Sequence, residues 1–288
     1  MSGDNRIRTL PTDAFPLIVQ HALLHGDFAV HAHEFTELVV ILGGEGLHLL
    51  GEDAYPLVAG DVFVIQGAQE HGFSQMRRLR LANVQCAPDR LPLLNEHLYR
   101  LPGYHALFAL EPAARRRHQF ASHLHIEPDA LAMVEELLRH LEDECRERRS
   151  GYQTMAIALF LELIVYLARH YASDTSHPTR ALLQIGAVLS RMEAEYMEPL
   201  TLEEFADTAL MSVTHLLRVF KEATGRSPID YLIALRLRHA ATLLHHTALP
   251  ITTIAAQVGI PDSNYFSRLF RAGMGVSPRE YRKGRGNR

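Results

Sequence analysis

The stretch Phe220-Lys-Glu-Ala-Thr-Gly-Arg-Ser-Pro228 returns fifty residues later as Phe270-Arg-Ala-Gly-Met-Gly-Val-Ser-Pro278. The aromatic, glycine and Ser-Pro positions coincide, and Arg218 falls on Arg268 at the same offset. A repeat at a fixed offset indicates that one supersecondary unit is used twice. The last hundred residues of the chain are therefore expected to hold two copies of one small helical motif.

The first copy carries the signals of two short helices joined by a tight turn. Thr201 followed by Glu204 is typical of a capping box, in which each side chain accepts a hydrogen bond from a free backbone N–H. Ser212 is expected to cap the second helix, and Leu210 is expected to fill the turn before it. The residues expected to face inward are Phe205, Ala206, Leu216, Val219 and Phe220. This pattern predicts a helix-turn-helix.

The second copy repeats this pattern with a glycine turn. Gly259 is expected to make the turn, and Asp262 or Ser263 is expected to cap the helix that follows. The fifty-residue offset places Ala256 on Ala206, the small residue that lets the two helices of a motif cross closely. The inward positions of the second copy are again apolar: Ile254, Ala255, Phe266, Leu269 and Phe270.

The outer faces of the two second helices are the candidate surface for double-stranded DNA. A helix from about Pro228 to His246 joins the copies, and its roughly 20 residues span about 30 Å. Successive major-groove windows on one face of B-DNA lie about 34 Å apart, so one chain is expected to reach two of them. The residues predicted to face the bases are Thr214, Leu217, Arg218, Ser263, Asn264, Ser267 and Arg268.

The alternative is a helical bundle with a duplicated hairpin that binds no nucleic acid. The matched arginines and the basic tail Arg282-Lys-Gly-Arg-Gly-Asn-Arg288 favour DNA, because cationic side chains pair with phosphates. The charge distribution points the same way. From Ala181 onward the chain has 13 Lys or Arg and 10 Asp or Glu, a balance of +3, whereas the whole chain has a net charge of −4.

The composition indicates neither export nor a membrane span. Two cysteines, Cys86 and Cys145, give no disulfide framework, which favours a reducing cytoplasm. Residues 1–15 carry charges and no apolar block, unlike a secretory signal. The most apolar stretch, residues 155–168, contains Glu162 and is too short to cross a bilayer. A cytoplasmic protein without membrane contact is expected.

The C-terminal hundred residues resemble the DNA-binding domain of the AraC/XylS family of transcription regulators. The resemblance lies in Ile254-Ala-Ala256, Val258-Gly-Ile260, Asp262-Ser-Asn-Tyr-Phe-Ser-Arg-Leu-Phe-Arg271 and Gly275-Val-Ser-Pro-Arg-Glu-Tyr281. It implies binding to promoter DNA and, usually, activation through RNA polymerase. It also implies that the seven outer-face residues contact DNA, although Leu217 departs from the family pattern, in which a polar residue is commoner.

The N-terminal third alternates apolar runs with glycine turns. The runs are Glu37-Leu-Val-Val-Ile-Leu42, Leu47-His-Leu-Leu50 and Asp61-Val-Phe-Val-Ile65, and the turns are placed at Gly43-Gly44, Gly51 and Gly60. Short, evenly spaced strands of this kind predict a small β-barrel, or jelly roll. The expected fold class is therefore α+β: a barrel with two following helices, then an all-α domain of two helix-turn-helix motifs joined by a long helix.

A group of ionisable residues lies in the same region. His31, His33 and Glu37 would point to one face of an extended strand, and His71 follows further along. The pattern resembles the two cupin motifs. Three interpretations stay open: a metal-free pocket for a polar effector such as a sugar, a divalent metal site, or core histidines without a ligand. No cofactor is expected apart from that metal. The other expected lining residues are Phe35, Val39, Ile41, Phe63 and Asn83.

This N-terminal half also resembles the L-rhamnose-responsive activators of the AraC/XylS family. The likeness lies in Glu37-Leu-Val-Val40, Gly46-Leu-His-Leu49, Ala59-Gly-Asp-Val-Phe-Val-Ile65 and Asn83-Val-Gln-Cys-Ala-Pro-Asp-Arg-Leu91. It implies a regulator that responds to rhamnose or a related sugar. The alternative is an enzyme, namely a metal-dependent cupin isomerase or oxygenase with an appended helical domain, which would use the same four ionisable residues as metal ligands.

Two helices are expected after an irregular segment, residues 88–119. The first begins at Pro128 and carries the apolar stripe Leu131, Val134, Leu138, Leu141 and Cys145, typical of a core helix or, less often, of a dimer seam. The second runs from residue 152 to about 171. The predicted domains are a cupin-like effector-sensing barrel (residues 1–119), a helical coupling and homodimerisation segment (120–172), a linker (173–180) and a double helix-turn-helix domain (181–288).

Overall fold

The computed structural model describes residue 10 and residues 14–91, 96–115, 124–173 and 177–284. It divides into two compact units, residues 1–186 and residues 187–288. Residues 174–176 of the expected linker and residues 285–288 of the basic tail lie outside the described residues.

The first unit is built on a six-stranded antiparallel sheet. Its strands are β1 (Leu17–His31), β2 (Thr36–Leu50), β3 (Asp53–Val58), β4 (Asp61–Ile65), β5 (His71–Cys86) and β6 (Leu124–His125). Their order is β1-β5-β2-β4-β6, and β3 pairs with the second half of β2. The α+β class is confirmed. The described pairings, however, form an open sheet with β1 and β6 at its ends instead of the closed barrel that was expected.

Strand β2 is much longer than either of the two apolar runs predicted within it, and no run was predicted for β1 or β5. β2 has 15 residues because it continues through Gly43-Gly44, where a turn was expected. Its register with β5 shifts on both sides of Gly43, and Gly44 has a φ of +77°. A Cβ at Gly44 would collide with the carbonyl oxygen of Arg78. The two glycines therefore belong to an irregular, bulged part of the strand, which bends it without ending it.

Helices follow β5, and β6 lies between the third and fourth of them. They are α1 (Glu96–Tyr99), a continuous helix of α2 (Pro102–His105), a π-helical turn (Ala106–Leu110) and α3 (Glu111–Arg115), then α4 (Pro128–Glu147) and α5 (Tyr152–Ser173). The segment expected to be irregular is thus partly helical. Val134, Leu138 and Leu141 of α4 are buried, and α4 packs against α5. These three residues of the predicted stripe therefore belong to the core of the unit, whereas its two end residues, Leu131 and Cys145, are half-buried.

Helix α5 is long and apolar enough, by length and composition alone, to cross a membrane. At 22 residues it is longer than residues 155–168, the apolar stretch that is too short to cross a bilayer. It packs against α4 and α2, and Leu163, Leu167 and Tyr171 are almost completely buried. These are the contacts of a core helix. The next helix, α6 (His177–Glu195), begins inside the expected linker, and α5 reaches into the linker from the other side.

Both cysteines of the first unit carry free thiols. Burial raises the pKa of the Cys86 thiol to about 12. Burial, together with the neighbouring Glu144, raises the pKa of the Cys145 thiol to about 11. Both thiols therefore stay protonated near neutral pH, which makes them poor nucleophiles.

The second unit is helical. After the end of α6 come α7 (Leu202–Ala209), α8 (Val213–Thr224), α9 (Pro228–His246), α10 (Ile251–Gln257), α11 (Ser263–Met274) and α12 (Pro278–Lys283). Helices α7 and α8 form the first helix-turn-helix, here called motif 1, and α10 and α11 form motif 2. The capping box of Thr201 and Glu204 is present, Ser212 caps α8, and Asp262 is the residue that caps α11. The predicted caps are confirmed.

The offset between the motifs is 49 residues in the first helix and 50 in the second. The N–H of Met211 donates to the Ala206 carbonyl, and the N–H of Ile260 donates to the Ala255 carbonyl, both at 2.9 Å. Ala206 therefore corresponds to Ala255. The expected match with Ala256 is wrong, because Ala256 is exposed and motif 2 has one more residue in its turn.

The turns of the two motifs use the left-handed backbone region at equivalent positions. Gly259 has a φ of +75° in motif 2, as predicted, and a Cβ there would lie 2.7 Å from the Met197 carbonyl oxygen. Leu210 has a φ of +53° in motif 1 and is 79% exposed, so it does not fill the turn as expected. A non-glycine residue in this region is strained by about 1–2 kcal/mol.

Candidate functional site

Three ionisable side chains of the first unit converge at one end of the sheet. His33 follows β1, Glu37 lies near the start of β2, and His71 is the first residue of β5. The Glu37 Oε2 atom is 3.2 Å from His33 Nε2 and 3.5 Å from His71 Nε2. All three side chains are buried. These residues, here called the His-Glu cluster, were all selected from the sequence.

The fourth selected residue, His31, lies beside the cluster. It is the cross-strand partner of His71, and the centroids of the two imidazole rings are 4.3 Å apart. Within the described chain, however, only the cluster combines three ligand atoms within 4.8 Å of one another. His31 is therefore a neighbour of the cluster and a lining residue of the space beside it.

The charge of the cluster is set by Glu37. Burial alone raises the pKa of this carboxyl, but hydrogen bonds and charge interactions with His33 and His71 outweigh the burial and lower the pKa to about 2. Glu37 is therefore a carboxylate at neutral pH. A buried carboxylate needs compensation from positive charge or from hydrogen-bond donors.

Backbone carbonyls orient the two imidazole rings of the cluster. His33 Nδ1 lies 2.9 Å from the Phe35 carbonyl oxygen, and His71 Nδ1 lies 3.0 Å from the Gln69 carbonyl oxygen. Because a carbonyl only accepts hydrogen bonds, each Nδ1 carries the proton and donates it. In both rings, the Nε2 atom is therefore the one that faces Glu37.

A cavity of about 370 Å³ opens beside the cluster. Polar and apolar side chains of β1, β2 and β5 contribute to it, along with Leu10 and the segment between β1 and β2. The polar lining residues are Gln20, His31, His33, Glu37, Asn83 and Gln85. The buried Oδ1 atom of Asn83 accepts no hydrogen bond from the described residues. The cavity has the size and mixed lining of a small-molecule site.

The expected lining was correct for two residues of the five. Phe35 and Asn83 line the cavity. Val39, Ile41 and Phe63 do not line it; they lie in an apolar core cluster and are at most 1% exposed. A strand buried on both faces has no polar alternation that would identify its cavity side.

Gln20, Gln85 and Phe73 are lining residues that the sequence analysis missed. Gln20 pairs across the strands with Asn83, and Glu37 pairs with Gln85. The alternation of Asn83 and Gln85 along β5 was a signal for one shared face. The register that brings Gln20 to the same place could not be inferred from either strand alone.

The candidate DNA-binding surface lies on α8 and α11 of the second unit. Of the seven residues selected from the sequence, Thr214, Leu217, Arg218, Asn264 and Arg268 are exposed, whereas Ser263 and Ser267 are half-buried. The Ser267 hydroxyl donates to the Ser263 carbonyl at 2.8 Å. The apolar sides of both helices are buried, with Leu216, Phe220, Phe266 and Phe270 at 0% exposure.

The two surface arginines have different neighbours. Arg218 donates to both carboxylate oxygens of Glu222 at 2.9 Å. Arg268 lies over the ring of Tyr265, 5.8 Å from its centroid. His215 and Tyr265 occupy equivalent exposed positions on the two helices, and the sequence analysis had missed both. An aromatic side chain among the polar residues of each outer face was the signal that could have identified them.

Two protein families match this chain. Residues 19–164 match the AraC-like ligand binding domain, and residues 205–284 match a helix-turn-helix domain. The chain is 33% identical over 256 residues to the HTH-type transcriptional activator RhaR of Escherichia coli O139:H28 (strain E24377A / ETEC). That alignment covers 88% of this chain and 87% of the relative. RhaR of Shigella boydii serotype 4 (strain Sb227) gives the same values.

Solved structures resemble parts of the chain. A transcriptional regulator with an AraC-type DNA-binding domain from Chromobacterium violaceum is 33% identical, and the match covers 35% of this chain and 91% of that chain, with a TM-score of 0.34.

Proposed function

Since this chain belongs to the AraC family of transcription regulators, we propose that it activates transcription when a sugar binds in the cavity of its first unit. Family membership makes the chain a DNA-binding regulator with a ligand-binding domain and not an enzyme. The cupin isomerase or oxygenase alternative therefore has no support. The observation that carries the proposal is a cavity with polar lining in one unit and two exposed, arginine-bearing helices in the other.

We propose that α8 and α11 enter successive major grooves of the promoter. Arg218 and Arg268 are exposed on these helices, and arginine is the side chain that most often reads guanine. Helix α9, with 19 residues, joins the motifs and is about 28 Å long at 1.5 Å per residue. The remaining proposed contacts are Thr214, Leu217, Ser263, Asn264 and Ser267.

We propose that the effector is L-rhamnose or a related sugar. The cavity volume of about 370 Å³ suits a monosaccharide, and carboxylate, imidazole and amide groups are the partners that sugar hydroxyls require. His31, His33, Glu37 and His71 are the proposed effector contacts, and Asn83 provides a further acceptor. Relatives that match 88% of the chain are transcriptional activators named RhaR.

We further propose a division of labour along the chain. Residues 1–119 sense the effector, and residues 120–172 form the dimer and couple effector binding to the DNA-binding domain. Residues 173–180 link this segment to residues 181–288, which bind DNA. The regulator acts in the cytoplasm as a homodimer and contacts RNA polymerase at the promoter. Light scattering on the purified protein is expected to give twice the mass of the 32.4 kDa chain.

A thermal-shift screen of sugars tests the effector proposal. A ligand that binds only the folded state stabilises it by about 2.7 kcal/mol at 100 times its Kd, so a true effector raises the melting temperature measurably. We expect L-rhamnose to raise it for the wild-type protein and for the surface variant His25→Ala, but not for Asn83→Ala. Equal shifts for Asn83→Ala and the wild type would contradict the proposed cavity.

A further inference from the structure

We propose that the His-Glu cluster binds one divalent transition-metal ion, such as Zn²⁺, through His33, Glu37 and His71. The ion site is inferred from the three side chains themselves. Only the second step, in which the ion contacts the effector, rests on the proposed function.

The spacing of the donor atoms is that of a metal coordination sphere. Nitrogen and oxygen ligands lie about 2.1 Å from Zn²⁺, so two ligand atoms of a tetrahedral site are about 3.4 Å apart. Glu37 Oε2 lies 3.2 Å from His33 Nε2 and 3.5 Å from His71 Nε2. All three ligand atoms fall within 4.8 Å of one another. Small side-chain adjustments would place an ion between them.

The orientation of the imidazole rings also suits a metal. In protein metal sites, the ring nitrogen that does not bind the ion usually donates to a backbone carbonyl or a carboxylate. His33 and His71 both have this arrangement, through the carbonyls of Phe35 and Gln69. This arrangement leaves the Nε2 atom of each ring, which would bind the ion, facing Glu37.

The buried Nε2 atom of His71 provides an independent observation. It lies 3.5 Å from Glu37 Oε2, at the outer limit of a hydrogen bond, it has no other hydrogen-bond partner among the described residues, and the side chain is 0% exposed. An imidazole lone pair directed at a carboxylate is repulsive unless a cation lies between them. A proton on Nε2 is the competing explanation, and it would leave a metal-free ion pair.

An ion in the cluster would become part of the effector site. Three protein ligands leave at least one coordination position open, as in catalytic zinc sites, where water or substrate occupies it. His33 and Glu37 also line the cavity, so the open position would face the space proposed for the sugar. One hydroxyl of the sugar would bind the ion at that position, while Asn83 and Gln85 would bind others.

Metal titration tests the ion site. Untagged protein is stripped with a chelator, dialysed and titrated with Zn²⁺ by calorimetry, with the visible absorption of Co²⁺ as a second readout. We expect one ion per chain, and at least tenfold weaker binding for Glu37→Gln and for His71→Gln. The exposed-histidine control His25→Ala is expected to bind like the wild type, and circular dichroism verifies that each variant is folded.

Two results would overturn the ion site: a wild-type protein that fails to bind one equivalent, or a folded Glu37→Gln variant with unchanged affinity. The effector step is tested separately, by measuring the thermal shift with L-rhamnose in Zn²⁺ and in chelator. A shift that requires Zn²⁺ supports it. Equal shifts in both buffers would overturn the bridging role and leave the sugar sensor intact, whereas one bound ion with no shift from any sugar would count against the proposed effector alone.

Discussion

Motif 1 and motif 2 have the same helix-turn-helix order but present different surfaces. In motif 1, Arg218 is held by Glu222, one turn further along α8. In motif 2, the position equivalent to Glu222 is Ala272, and Arg268 lies over Tyr265. The exposed apolar residue Leu217 is replaced in motif 2 by Ser267. Motif 2 is therefore more basic and more polar where DNA is expected.

The difference shows that the repeat preserves what the core requires and leaves the surface free to diverge. Phe220 and Phe270 are both completely buried, and each motif has a polar cap at the start of its second helix. The outer positions do not contribute to the core, so their side chains can be selected for contact with DNA alone. We therefore expect motif 2 to supply more of the sequence-specific binding energy than motif 1.

The largest expected effect is that of Arg268→Ala on DNA affinity. If Arg268 contacts guanine, its loss costs about 1–3 kcal/mol, which is roughly a 5- to 150-fold increase in Kd. Gel-shift titration on the promoter at fixed salt measures it. Arg139→Ala removes the same charge from an exposed position in the first unit and serves as the control. An unchanged Kd for Arg268→Ala would contradict the expectation that motif 2 supplies more of the binding energy.

The two turns are expected to respond in opposite directions. Gly259→Ala should destabilise the chain by about 1–2 kcal/mol, because alanine is strained at positive φ and its Cβ would meet the Met197 carbonyl oxygen. Leu210→Gly should instead raise stability by about 0.5–1 kcal/mol, since glycine relieves the strain at an exposed site. Thermal unfolding of the full chain measures both. The contrast fails if both substitutions lower the melting temperature equally.

A smaller effect is expected for Arg218→Ala. Its guanidinium is already paired with Glu222, so contact with DNA must replace an existing interaction. We expect a loss below about 1 kcal/mol, or less than about fivefold in Kd. The same gel-shift series provides the measurement, and a loss equal to that of Arg268→Ala would remove the distinction between the motifs.

The smallest effect is a gain in affinity for Glu222→Ala. Removing this carboxylate frees Arg218 and makes motif 1 resemble motif 2 at this position. An exposed pair at this helical spacing is worth about 0.3–0.5 kcal/mol, so Kd should fall about twofold. A double-mutant cycle with Arg218→Ala isolates the coupling, and additive effects would show that Glu222 does not restrain Arg218.

Local signals in the sequence predicted the helical unit well. Thr201, Ser212 and Asp262 act within one helical turn of their own position, so the caps follow from adjacent residues. The offset at Ala206 was wrong because one extra residue in a turn changes the alignment while leaving the pattern of apolar residues intact. Leu210 was misplaced because nothing in its own chemistry predicts a left-handed conformation.

The cavity was less predictable, since it depends on pairing between distant strands. His33, Glu37 and His71 were found because their side chains are chemically distinctive. The sequence did not show that His31 lies outside the His-Glu cluster, because its position in the sequence is as close to Glu37 as the pattern requires. The irregular strand at Gly43-Gly44 looked like a turn, because a glycine pair allows either conformation and the partner strand decides between them. Long-range register therefore limits what one sequence reveals about this unit.

The protonated state of Cys86 and Cys145 has a practical consequence for spectroscopy. Thiol-directed dyes react with thiolates, and at neutral pH the two native side chains supply very little of that form. A pair of cysteines introduced on the exposed sides of α8 and α11 would therefore accept fluorescent labels selectively in the otherwise unaltered chain. Energy transfer between such labels would report the separation of the recognition helices during promoter binding, in solution and one molecule at a time.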